Sequence, residues 1–250
     1  TKGIPEKQLF TGWHSGFPDV NTSIIPGSAR DLPFEENTPL FLAELTDAEV
    51  CPRGLLKRVL NLMEKDKIFS RSAFEYEFFL FSENSHSIRE KEFKKLNNFT
   101  PGMFGYSVLR NSVESDLYNE LLQFCISMDM PLEGLHTETG PGVLEAAILV
   151  DESLNSADKA TLFKTFSKVM FQKKGLIANF MAKWSADYPG QSGHIHLSLQ
   201  DEKGKSIFAS SKDELPKRLL YFIGGLQTYM REFSVMIAPT VNSYKRLCPG

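Results

Sequence analysis

The sequence predicts an α+β fold with a mainly antiparallel sheet flanked by helices. Two patterns predict it. Segments with apolar residues at helical spacing interleave with apolar runs of strand length. Hairpin-like stretches, with strand-like runs around Gly/Pro turns, occur among them. At 250 residues the chain is long enough for one large domain or two small ones with a substantial core.

Taken in order, residues 1–37 are turn-rich (Gly12, Gly16, Pro18, Gly27, Pro33) and show little periodicity. Residues 38–45, TPLFLAEL, read as a buried strand. Cys51-Pro-Arg-Gly opens a helix to about Lys67, with Leu55, Val59, Leu62 and Met63 on one face. Ala73–Phe81 is a strand, and the polar stretch Ser82–Gly105 is a loop or insertion in which Lys91, Lys94 and Lys95 are solvated. A helix follows from about Val113 to Met128, with Leu117, Leu121, Leu122 and Cys125 inward. His136–Val150 reads as two strand pieces around Gly140-Pro-Gly142. The next helix runs from about Ser156 to Lys174 with Gly175 as its C′ residue. Ile177–Lys183 and Gly193–Leu199 are strands, and Asp213–Ile237 is a last helix stopped by Pro239. The aromatic stretches at Phe163–Phe171 and Tyr221–Phe233 are expected to serve core and subunit packing.

Composition excludes several classes. Apolar residues make up 42% and charged residues 24%, as in an ordinary soluble globular protein. A net charge of −3, with no long Lys/Arg block, argues against a nucleic-acid partner. No apolar run is long enough to span a membrane, and the N-terminus carries no apolar signal core. Cys51, Cys125 and Cys248 are odd in number and far apart, which points to a reduced, cytoplasmic chain. On that reading the triplets at Asn21 and Asn98 match the glycosylation pattern by chance. The chain begins without Met and stops at Cys248-Pro-Gly directly after an apolar helix, which reads as a piece of a longer polypeptide. Gly204-Lys-Ser206 lacks the glycine a phosphate-binding loop needs at position 199 and reads as a hairpin turn.

Three elements carry chemistry. Glu75 and Glu77 lie two apart in a strand, so both carboxylates project to one side while Phe74, Tyr76 and Phe78 cover the other. A solvated strand face fits that pair as well. Glu138 and Glu145 lie seven apart, which in a straight strand would place them on opposite faces; the Gly-Pro-Gly turn breaks that parity and lets them converge. A hairpin with two exposed acids is the alternative. In Gly193-His-Ile-His-Leu-Ser-Leu199, His194, His196 and Ser198 share one face. With only five histidines in the chain, a matched pair on one face is informative. If the three strands adjoin, several carboxylates and a histidine line one surface. Two bare carboxylates at ~4 Å repel by about 4 kcal/mol at an effective dielectric near 20. Such a cluster needs protons or cations, and hard oxygen ligands with one imidazole suit Mg2+ or Mn2+. Ions of this kind bridge and neutralise ATP phosphates.

At these residues the chain resembles the glutamine synthetase superfamily. The motifs are Glu75-Tyr-Glu77-Phe, then Glu138 and Glu145 around a glycine turn, then Pro189-Gly-Gln-Ser-Gly-His-Ile-His-Leu-Ser-Leu199, then Asn242-Ser-Tyr-Lys-Arg-Leu-Cys-Pro-Gly250. The resemblance implies a partial β-grasp-like domain over residues 1–48 and a catalytic domain over 49–250 whose C-terminal part is missing. It implies that Glu77, Glu138 and Glu145 bind one metal, and that Glu75 and His194 bind a second beside the ATP γ-phosphate. By the same resemblance His196 contacts phosphate, Ser198 and Glu133 contact the nucleotide, Gly190 meets the glutamate amino acid moiety, and Arg246 lies near the substrate carboxylate. The implied catalytic set is Glu75, Glu77, Glu145, His196 and Arg246. The implied activity is ATP-dependent ligation of glutamate to ammonia or an amine through a γ-glutamyl phosphate, in a homo-oligomer of stacked rings. The form Thr139-Gly-Pro-Gly142, Phe180-Met-Ala-Lys183 and His194-Ile-His196 lean toward the branch that uses polyamines or other amines. The loop Gly190-Gln-Ser-Gly193 lacks the Met usual before the first histidine. Two other readings remain at this point: a non-catalytic relative with a structural or regulatory role, and an unrelated metal-dependent phosphoryl-transfer enzyme.

Overall fold

A computed structural model describes residues 15–16, 19–46, 51–210 and 214–247. The expected boundary between residues 48 and 49, the motif end Cys248-Pro249-Gly250, the turn residues Gly12 and Pro18, and the expected helix start at Asp213 lie outside the described residues. The chain divides into two units, Thr1–Leu62 and Met63–Gly250.

In the first unit, β1 (Thr22–Ile24), β2 (Arg30–Asp31), β3 (Pro39–Leu40) and β4 (Ala43–Leu45) form two small antiparallel pairs, β1 with β4 and β2 with β3. The buried strand expected over 38–45 is therefore two short, partly exposed strands. The physical reason is that its halves answer to different partners. Between them the Leu42 amide donates to Ser28 Oγ at 2.7 Å and the Leu42 carbonyl accepts from Ile25 at 2.9 Å. Helix α1 (Pro52–Lys65) starts at the expected Pro52. Arg53 and Lys57 on its first turns clamp Glu44 at 2.9 and 2.7 Å. None of α1 is buried, so its apolar stripe is not core here.

The second unit is built on β5 (Phe69–Phe81), followed by α2 (Ser87–Glu90), α3 (Val108–Val113), α4 (Ser115–Ser127), β6 (Leu132–Thr137), β7 (Val143–Ile148), β8 (Asp151–Glu152), α5 (Ser153–Lys173), β9 (Ile177–Asn179), β10 (Gly193–Gln200), α6 (Lys217–Ile237) and α7 (Val241–Arg246). The sheet is antiparallel, in the order β10-β5-β7-β6, with β8 and β9 also paired to β5. This is the α+β arrangement the sequence predicts. One face of β5 carries Phe74, Tyr76 and Phe78. Tyr76 stacks on Phe163 of α5 at 5.7 Å, and Phe78 meets Phe163, Phe171 and Phe180 at 6.2, 5.9 and 5.0 Å. Each fully buried aromatic of this kind contributes on the order of 2–3 kcal/mol. Helix α5 ends as expected: Gly175 takes φ 75°, and Leu176 N–H returns to Phe171 O at 3.0 Å. Residues 201–206 form the expected hairpin turn, with Gly204 at φ 74°.

Other expectations are corrected. Strand β9 stops at Asn179 instead of Lys183, because Asn179 Oδ1 accepts the Met181 amide at 2.8 Å and turns the chain out of the ladder. In α4 the inward set is Tyr118, Leu121, Phe124 and Cys125; Leu117 and Leu122 are only half-buried. Helix α6 buries none of its residues, so Tyr221 and Phe233 are not core here.

Lys91 is not a solvated loop residue. It pairs with Glu83, whose side chain is 1% exposed and which also accepts from Ser87 Oγ at 2.6 Å and the Asn97 amide at 2.8 Å. Burial pushes the Glu83 carboxyl up, but Lys91, Ser87 and Asn97 outweigh it and hold the group down at about 2. A carboxyl lowered on folding stabilises above its unfolded pKa near 4.5 and loses that contribution as pH falls through about 2. Glu83→Ala should cost roughly 3 kcal/mol at pH 7, since it strands Lys91 and a buried amide. Urea titrations of both proteins should show the gap closing between pH 4.5 and 2. A gap independent of pH would refute the electrostatic account.

Candidate active site

The other face of β5 alternates Arg71, Ala73, Glu75, Glu77, Phe79 and Phe81. Phe79 and Phe81 are sealed: both are fully buried and meet Trp184 at 6.3 and 5.0 Å. Ahead of them the same face turns acidic. Sheet register explains what gathers there. Glu77 stands opposite Glu145 of β7, and Glu145 stands opposite His136 of β6. One step along, Glu75 stands opposite His194 of β10.

The side chains then converge. Glu75 Oε2 meets His194 Nδ1 and His196 Nε2, both at 3.1 Å. His136 Nε2 lies 3.6 Å from Glu145 Oε2, and its Nδ1 lies 4.0 Å from Glu138 Oε2. Ligand atoms of Glu75, Glu145 and His194 fall within 4.8 Å of one another, and so do those of His136, Glu138 and Glu145. Glu77 Oε2 accepts the Ser192 amide at 2.9 Å, which ties the third motif to the first. Glu138 Oε2 is buried without a formed hydrogen bond. A buried carboxylate oxygen that accepts no hydrogen bond, beside other acids, fits a cation, and the oxygen-rich set with imidazole suits a hard divalent one.

Electrostatics follow the same lines. The bonded His196 ring, followed by His194, holds the Glu75 carboxyl below its usual range. Glu145 is pushed up by burial and by Glu77, Glu75 and Glu138, with His136 opposing. Burial also raises Glu138, but the Tyr106 hydroxyl and Thr139 outweigh it and leave the carboxyl lowered. The Glu138 carboxylate in turn pushes the Tyr106 phenol up to about 12.

Of the residues singled out from sequence, Glu75, Glu77, Glu138, Glu145, His194 and His196 are brought together. Glu133 and Ser198 sit apart, lining a cavity of about 360 Å³ that Glu75 and His196 also line. Gly190 and Arg246 form a separate pair: a Cβ on Gly190 would lie 2.2 Å from Arg246 Cδ and 2.5 Å from Ala182 O. Glycine is required there by close approach. The segment before Gly190 is tied to α7 by Asn242, which donates to Lys183 O at 2.7 Å and accepts its amide at 2.9 Å.

Sequence reasoning missed His136 and Tyr106. His136 had a signal, because it lies two before Glu138 and strand parity puts both on one face. Tyr106 had none. It reaches the site from the residue just after the long insertion, at φ 56°, with its amide on Thr137 O at 2.7 Å and its ring 4.9 Å from that of His136.

Residues 49–250 match the family model described as the glutamine synthetase catalytic domain. The chain is 41% identical to type-1 glutamine synthetase 2 of Dictyostelium discoideum, over 96% of this chain and 48% of that protein. It is 33% identical to the glutamate–isopropylamine ligase of a Pseudomonas species, over 95% and 53%. The solved structure of apo GmaS without ligand superposes with a TM-score of 0.80 at 25% identity, over 92% of this chain and 54% of that one. The chain thus spans about half the length of the curated relatives it matches.

Proposed function

The chain belongs to the glutamine synthetase family through its catalytic domain, and from that premise we propose that it is part of an ATP-dependent ligase joining the γ-carboxylate of glutamate to ammonia or an amine. The observation that carries this reading is the meeting of Glu75, Glu138, Glu145 and His194, drawn from three separate stretches of sequence, on one open sheet face. In this reading Glu77, Glu138 and Glu145 would hold one Mg2+ or Mn2+, and Glu75 and His194 a second. Bound there, such ions would neutralise phosphate charge and polarise the transferring phosphoryl group.

The protein's own groups do the rest. His196, paired with Glu75, would present an imidazole toward a terminal phosphate. Glu133 and Ser198 receive the nucleoside end of ATP in the cavity they line. Gly190 and Arg246 hold the amino acid substrate, with Arg246 on its carboxylate. The γ-carboxylate oxygen attacks the γ-phosphorus and ADP leaves, giving γ-glutamyl phosphate. Glu138, kept anionic beside Tyr106, forms a wall that favours a cationic amine. The amine gives its proton to a carboxylate of this wall, its nitrogen attacks the acyl carbon, and phosphate leaves as the acyl C–O bond breaks. Water has to be kept out, or the acyl phosphate hydrolyses.

Support for an amine other than ammonia comes from the relative named for isopropylamine and from the Thr139-Gly-Pro-Gly142 turn. The reading also takes residues 1–48 as a β-grasp-like domain and 49–250 as catalytic, in a ring-forming homo-oligomer. Phosphate release from the full-length protein, measured with ATP, Mg2+, glutamate and in turn ammonia, putrescine, spermine, ethanolamine or isopropylamine, tests it. Amine-dependent release with at least one of them is expected. ATP binding with no turnover for any amine would favour a non-catalytic role.

A further inference from the structure

The acidic face of β5 continues past Glu75 to Ala73 and Arg71, and there it enters the cavity of about 360 Å³. Small side chains, Ala73 and Ala147, line it, so a ligand can lie close against the sheet. Along β5 and β10 it is lined by Glu75 and His196 and then by Arg71 and Ser198, while Glu133 lines it from β6, two strands away from β5. Arg71 is directly opposite Ser198 in the β10–β5 ladder. It is four residues from Glu75, or ~13 Å along the strand. Glu133 comes from the irregularity in β6 between Leu132 and Gly134.

Arg71 is the only lysine or arginine among the residues lining the cavity. Two acids stand near it: Asp151, already engaged by Lys159 at 2.8 Å and by the Glu152 amide at 2.7 Å, and Glu152, opposite Arg71 in the β8–β5 ladder. Arg71 is itself half-buried, and among the described residues neither acid forms an ion pair or hydrogen bond with it, which leaves its donor fork for a ligand. A polyanion running from the acidic cluster along β5 would have the carboxylates of Glu75 and Glu133 beside it, and Arg71 supplies the opposing charge further along the strand. Its long side chain can reach back several ångströms from its place on the strand.

We propose that Arg71 is a nucleotide-binding residue whose guanidinium grips the phosphate next to the ribose while Glu133 and Ser198 take the ribose hydroxyls; this rests on the ligase reading above. The test is calorimetric titration of the full-length chain, in Mg2+, with ATP, ADP, AMP and adenosine, for the wild type, Arg71→Ala and Arg71→Lys. Arg71→Ala should weaken ATP, ADP and AMP alike by about 10- to 100-fold, the worth of a charge-assisted bidentate contact, and spare adenosine. Arg71→Lys should fall between, because it keeps the charge and loses the planar fork. A separate Mn2+ titration and the metal-free Tm should be unchanged in both variants. Unchanged nucleotide binding in Arg71→Ala, a loss confined to ATP, a loss shared equally by adenosine, or weakened Mn2+ binding would each overturn the assignment while leaving the ligase reading standing. A wild type that binds Mn2+ but none of the four nucleosides and nucleotides would remove both.

Discussion

Replacing Glu145 with glutamine should raise the Tm of the metal-free protein and remove most of its response to Mn2+. The two effects have one cause. Glu145 stands opposite Glu77 and is within ligand reach of Glu75 and Glu138 as well as His136 and His194. It is a member of both convergent groups. Burial and three like charges push its carboxyl up, so folding without a cation works against the ionised form. The sign follows: a carboxyl raised on folding carries no penalty below its unfolded pKa, and the penalty grows as pH rises through the folded value. The amide has nearly the same shape and no charge, so the metal-free gain should be roughly 1 kcal/mol near neutrality and vanish near pH 4. A ligand at 100 times its Kd stabilises by about 2.7 kcal/mol. For a protein of this size that raises Tm by roughly 5–10 °C. Thermal scans with and without Mn2+ should show that rise in the wild type and less than a third of it in Glu145→Gln. Equal Mn2+ gains would mean the acids do not share a cation.

Gly142→Ala should be among the most damaging single substitutions in the second unit. Gly142 closes the turn that carries Glu138 and Glu145, with φ 67°. An added Cβ would lie 2.5 Å from Leu80 O and 3.0 Å from Phe99 N, both backbone atoms. Those atoms belong to a working ladder: Leu80 N–H donates to Gly142 O at 2.7 Å and Phe99 N–H to Leu80 O at 2.9 Å. Left-handed strain alone costs roughly 1–2 kcal/mol. Forcing a fully buried strand aside adds more, for an expected total of about 4 kcal/mol. Gly204 is the matched control, because its φ is 74° and nothing lies within 4 Å of its Cβ position. Gly204→Ala should cost only the strain. Equal denaturation midpoints for the two alanine variants would remove the steric argument. Gly142→Ala should also blunt the Mn2+ response, since the turn sets where Glu138 stands relative to Glu145.

The site was legible where it depended on local period. Strand parity placed Glu75 with Glu77, and His194 with His196 and Ser198, on common faces. The Gly140-Pro-Gly142 turn read correctly as the device that lets Glu138 approach Glu145. Elements defined by their partners were less legible. The run 38–45 is apolar enough for one strand, yet Ser28 and Ile25 capture Leu42 and split it. Lys91 lies in a polar stretch, yet it neutralises a carboxylate that folding buries. Neither outcome is written in the nearest few residues.

The sequence by itself determined the alternation of each strand, the turn chemistry and the acidic character of one strand face, because these follow from backbone geometry over two to four residues. Only the tertiary structure decided that β10 lies against β5 and β7 against its other side. That order sets His194 against Glu75 and His136 against Glu145, admits Tyr106 from a segment distant in sequence, and leaves Arg71 facing a cavity. Neighbours across a sheet are chosen by long-range pairing and by which faces α5 can bury, and such choices leave no trace in local spacing.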